Sequence, residues 1–83
     1  MNMIYFISKY FPRLYIILYF NYKHITDQKK IKIIKSYIKN KTIIIDIGAN
    51  IGFYTILFSK YSKNSTILAF EPDKNNFNLL KKI

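Results

Sequence analysis

The chain has 83 residues, a formal net charge of +10 and no cysteine. That length supports one small domain, burying roughly 60–65% of the surface its unfolded chain exposes. Without cysteine, neither a disulfide framework nor a thiolate metal site can reinforce the core, so no metal is expected.

The charge does not by itself demand a polyanion. Lysine outnumbers arginine thirteen to one, and Ile, Lys, Asn, Tyr and Phe make up 53 of the 83 residues. Those residues have A/T-rich codons, so genomic bias accounts for the balance. Lys29, Lys30, Lys32, Lys35, Lys39 and Lys41 read as the wet face of a helix. No nucleic-acid partner is expected, and nothing requires export, so the cytoplasm is the default location.

Residues 1–22 are aromatic and aliphatic, with Pro12 breaking them into helices at about 3–10 and 12–22. The longest uninterrupted apolar stretch, Leu14 to Phe20, is far short of the ~20 residues a membrane span needs. Asn21-Tyr22-Lys23-His24 is no signal-peptide cleavage site. Two readings stand for this segment. It packs on the rest of the chain as a helical layer, or it lies on a membrane surface with Lys9 and Arg13 beside anionic lipid.

Thr26 or Asp27 can cap a further helix to about Lys39, with Ile31, Ile34 and Ile38 on its apolar side. Asn40-Lys41 makes a turn. The run Thr42–Ile47 predicts a strand covered on both faces, as parallel strands usually are. A helix follows from Phe53 to about Tyr61, carrying Phe53, Ile56, Leu57 and Tyr61. After a polar loop, Thr66–Phe70 predicts a second strand, adjacent and parallel to the first. Asp73 caps a last helix, 74–83, burying Phe77, Leu79, Leu80 and Ile83. Residues 1–40 thus form an N-terminal helical segment. Residues 41–83 form an incomplete βαβα unit of the α/β class, a partial Rossmann-like arrangement.

The chemistry gathers at Asp46-Ile47-Gly48-Ala49-Asn50-Ile51-Gly52 and at Phe70-Glu71-Pro72. Gly48 follows the strand where the chain must turn sharply and meet a ligand without a Cβ in the way. Gly52 opens the helix, and Asn50 tolerates left-handed geometry. Glu71, 19 residues beyond Gly52, leaves the second strand at the edge where open α/β sheets bind ligands. A carboxylate there can accept two charge-assisted hydrogen bonds from a ribose diol.

The pattern is the first half of a nucleotide-binding unit, and the kind of ligand it expects can be narrowed. A dinucleotide fingerprint needs glycine where Asn50 stands, and a P-loop needs Gly-Lys-Ser/Thr where Gly52-Phe53-Tyr54-Thr55 stands. Asp46 beside the turn suits a ligand that lacks phosphate and carries an amine and a sulfonium. S-adenosylmethionine fits better than a nicotinamide or flavin dinucleotide.

Ile45–Thr55 and Ala69–Leu80, 23 of the 83 residues, resemble the FkbM family of class I S-adenosylmethionine-dependent methyltransferases. The resemblance implies that Asp46, Gly48, Ala49, Asn50 and Gly52 line the methionine part of the cofactor. It also implies that Glu71 binds the ribose and Pro72 borders the adenine. The implied reaction is O-methylation of a hydroxyl on a small molecule or glycan. Such domains have about seven strands, and this chain supplies two. The expectation is therefore a truncated product or one piece of a longer protein, inactive alone. The competing expectation is a basic, amphipathic membrane-surface or interaction fragment with a vestigial motif.

No residue stands out as catalytic. His24, the lone histidine, reads as a surface or interface residue. Asp27 and Asp73 read as helix caps, Asp46 as a ligand-orienting acid, and Tyr54 as a packed aromatic beside the turn.

Overall fold

The computed structural model describes residues 2–82. Seven elements follow one another: α1 (Met3–Tyr10), α2 (Pro12–Thr26), α3 (Gln28–Tyr37), β1 (Ile43–Ile47), α4 (Phe53–Tyr61), β2 (Thr66–Phe70) and α5 (Lys74–Leu80). The strands pair in parallel, in a register that sets Ile43 against Thr66, Asp46 against Ala69 and Ile47 against Phe70.

The start of the strand pair is tied by hydroxyls. Buried Ser62 donates to the Lys39 carbonyl at 2.5 Å and lies 2.7 Å from the Ser65 hydroxyl, which accepts the Thr42 amide at 3.0 Å. The expected turn at Asn40-Lys41 is present. The Lys41 amide donates to the Lys63 carbonyl at 2.8 Å, and the Lys63 amide donates to the Asn40 side chain at 2.8 Å.

Two clusters hold the helices to one another and to the bend after β1. Ile16 of α2 meets Ile51 and Leu79, while Ile31 of α3 meets Phe53 and Leu57 of α4. Tyr19 and Phe20 pack against both clusters, so α2 joins them into one core. The N-terminal segment therefore docks through α2 and α3. By contrast, α1 buries no residue.

The strands are covered on one face, not two. Burial alternates along both, leaving Ile43, Ile45, Ile47, Leu68 and Phe70 exposed on the outer side. Side chains of a strand point to opposite faces in turn, and the packed helices lie on the Ile44 and Asp46 side. The apolar run of β1 leaves a bare, greasy surface where a second covering layer was expected.

Several boundaries also move. α2 runs to Thr26, beyond 22, because Lys23 to Thr26 include no helix breaker and Lys23 pairs with Asp27 one turn on. α3 ends at Tyr37, which leaves Ile38 extended as its C-cap. Asp73 caps α5 as expected, accepting the Asn76 amide at 2.9 Å. On α5, Leu79 is buried and Leu80 half-buried, but Phe77 is exposed. Ile83 lies outside the described residues. On α4, Ile56 and Tyr61 are also exposed, so Phe53 and Leu57 alone form its buried stripe.

Candidate functional site

The bend after β1 has three residues in the left-handed region: Gly48 at φ 74°, Asn50 at 57° and Gly52 at 101°. Glycine and asparagine are the residues that reach this region at least cost, which is why the chain can reverse here within five positions. The Gly48 and Ala49 amides both donate to the Phe70 carbonyl, at 2.8 and 2.9 Å, fastening the bend to the end of β2. Ala49 and Ile51 are buried beneath it. A Cβ placed on Gly48 would meet nothing within 4 Å, so the space above that residue is open.

Glu71 reaches the same bend. One carboxylate oxygen accepts the Asn50 amide at 2.7 Å and the other accepts the Asp73 amide at 2.9 Å. An ionised carboxylate has about four lone-pair positions, so acceptor capacity remains after both bonds. The acid leaving β2 and the bend leaving β1 thus share one edge of the sheet. Asp46, half-buried on the helix-covered face, accepts the Thr55 hydroxyl at 2.8 Å, which fixes its carboxylate at the foot of α4.

A cavity of about 330 Å³ opens at this end of β1. Asp46, Gly48, Ala49 and Asn50 line it from the bend, while Tyr19, Lys23, Lys30 and Tyr54 line it from the helices. Gly52 is buried behind the bend and Pro72 is exposed, and neither they nor Glu71 line this cavity. Four of the seven expected cofactor residues therefore face one space, and Glu71 touches its rim through Asn50.

Asp27 does not cap α3 with its side chain. Its carboxylate accepts instead from the Tyr54 hydroxyl and from the Lys23 ammonium, the latter at 2.7 Å, with the Thr26 hydroxyl at 3.1 Å. With these partners the carboxylate makes no bond to the amides at the start of α3. Tyr54 is accordingly more than a packed aromatic, because its hydroxyl is anchored and its ring carries Lys30 at 4.9 Å and Lys23 at 5.6 Å from the centroid. Burial, together with the bond to Asp27, pushes the Tyr54 phenol well above its ordinary value, so it stays protonated. His24 stands apart, exposed, with its ring edge-on to Phe53 at 5.0 Å.

Lys23 and Lys30 were not singled out by motif reasoning, since lysines on a helix usually face water. A signal was nonetheless present. Tyr19, Lys23, Asp27, Lys30 and Ile34 recur at intervals of three and four, the spacing of a helix face, across the junction of α2 and α3. Among the described residues, no three acids or histidines cluster as metal ligands would.

The bond from Lys23, and then that from Tyr54, hold the Asp27 carboxyl at about 2, below its ordinary 3.8. A depressed carboxyl favours the fold when ionised. That contribution is complete above about pH 4 and is lost as the pH falls toward about 2. Urea midpoints measured across this window should fall less steeply for Asp27→Asn than for the unaltered chain. Parallel slopes would show that the triad adds nothing to the fold.

The class defined so far is a mixed α/β unit with a two-stranded parallel sheet and a bend-plus-acid crevice at its carboxyl edge. No family model, curated protein or solved structure matches the chain.

Proposed function

We propose that this chain is the cofactor-binding portion of an S-adenosylmethionine-dependent O-methyltransferase resembling the FkbM family. It would be inactive without further sheet strands and an acceptor pocket. The observation that carries this reading is the 2.7 Å bond from the Asn50 amide to Glu71. It sets an ionisable acid, with acceptor positions to spare, at the lip of a bend whose first glycine is uncovered.

The residues present suit this cofactor. Glu71 offers a carboxylate for the ribose hydroxyls, and Asp46 sits at the cavity foot for an amine. The cavity falls within the roughly 300–1,000 Å³ typical of ligand pockets. When bound, the cofactor supplies a methyl group on a sulfonium, which an acceptor hydroxyl attacks in line. The chain's part is to orient and partly dry that centre. The bare sheet face carrying Ile45, Ile47, Leu68 and Phe70 also suits a unit that takes a second covering layer from further chain.

Calorimetric titration of the chain with S-adenosylmethionine tests the reading. Saturable binding at millimolar or tighter affinity is expected, and absence of heat at that concentration would end it.

One observation favours a second reading, in which the motif is vestigial and the N-terminal helices lie on a membrane surface. On and just after α1, Met3, Ile4, Tyr5, Phe6, Tyr10 and Phe11 are all exposed, with Lys9 and Arg13 nearby. No helix among the described residues is long and apolar enough to cross a membrane. Vesicles of anionic lipid, titrated separately, distinguish the two. Binding to vesicles with no response to the cofactor would select the second.

A further inference from the structure

The cavity at the bend is lined by charge of both signs, an acid from the sheet and two lysines from the helices. The acid is Asp46, and the lysines are Lys23 and Lys30. The two lysines are not equivalent. Lys23 is engaged by Asp27 at 2.7 Å, the one ion pair found among the described residues. Lys30 has no carboxylate partner there and instead leans over the Tyr54 ring. That ring is itself fixed, because its hydroxyl is bonded to Asp27 and Asp27 is held by Lys23. The Lys23–Asp27–Tyr54 chain thus acts as a platform that presents one unneutralised ammonium to the cavity. A cation from the helical wall and an anion from the end of β1, lining one space, complement a zwitterion.

We propose that Lys30, from the N-terminal helical layer, holds the carboxylate of the cofactor's methionine moiety while Asp46 faces its amine. This rests on the methyl-donor reading above and makes Lys30 a positioning residue. It also gives the N-terminal helices a direct part in the site, beyond covering the sheet.

The test compares S-adenosylmethionine with 5′-methylthioadenosine, which keeps the nucleoside but lacks the amino-acid end. Calorimetry would be run on the unaltered chain, Lys30→Gln and Lys30→Arg. Lys30 is exposed, so its substitution should leave the fold intact, which circular dichroism would verify. Lys30→Gln should weaken S-adenosylmethionine by roughly five- to ten-fold, the loss of one partly screened charge-assisted bond. It should leave methylthioadenosine unchanged, and Lys30→Arg should retain most of the affinity.

Equal weakening of both ligands, or of neither, would overturn the role of Lys30 and leave the methyl-donor reading standing. Binding of methylthioadenosine without S-adenosylmethionine would overturn the amino-acid subsite while sparing the nucleoside crevice. If neither ligand binds the unaltered chain, the function proposed above fails and the role of Lys30 fails with it.

Discussion

Ile51→Ala is expected to remove about 2–5 kcal/mol of the chain's stability. Ile51 is 1% exposed and lies between two left-handed residues, Asn50 and Gly52, in the middle of the bend. Its side chain meets Ile16 of α2 and Leu79 of α5, so one residue joins the bend to elements far apart in sequence. Truncating a buried isoleucine costs about 2–5 kcal/mol, through lost transfer energy and the cavity left behind. A domain of this size commands about 4–12 kcal/mol in all, so the loss removes a large part of its stability. Ile45→Ala is the matched control. Ile45 is 60% exposed on the bare face of the sheet, and the same truncation there should cost well under 1 kcal/mol. Urea unfolding followed by circular dichroism reads both. Equal effects at the two sites would mean that the Ile16–Ile51–Leu79 cluster does not hold the bend in place.

The order of elements was legible because each had a local cause. Pro12 ends one helix and starts the next, Asp73 caps α5, and β-branched runs bounded by turns make the two strands. The bend was equally plain, since Gly48, Asn50 and Gly52 are residue types that reach positive φ cheaply. Coverage of the sheet was not legible. An apolar run such as Ile43-Ile44-Ile45 reads the same whether one face or both are covered, because the covering partner is remote in sequence. Asp27 misled for a related reason. A cap is a local bond, and here Tyr54, 27 residues away, outcompetes it. The basic wall of the cavity escaped notice because a lysine leaning over a tyrosine and a lysine in water have the same sequence pattern.

Glu71→Ala is expected to weaken S-adenosylmethionine binding by about 100-fold or more, and the comparison with Glu71→Gln separates its two tasks. In the free chain this carboxylate braces the bend through the Asn50 amide and the start of α5 through the Asp73 amide. In the proposed complex it also accepts from the ribose diol. Each hydrogen bond to a charged group is worth about 1.5–3 kcal/mol, and two such bonds account for a loss of that size. Glutamine preserves the length and one acceptor oxygen, so it can still serve one amide, but it carries no charge. If bracing the bend were the whole role, Glu71→Gln would recover most of the affinity lost in Glu71→Ala. If the ribose is the target, Glu71→Gln should remain at least ten-fold weaker than the unaltered chain, for methylthioadenosine as well as for S-adenosylmethionine. The shared loss follows because both ligands carry the ribose, whereas only one carries the amino-acid end assigned to Lys30. A Glu71→Gln chain that binds both ligands normally would remove the carboxylate from the site and, with it, the reason for placing an adenosyl group beside this bend.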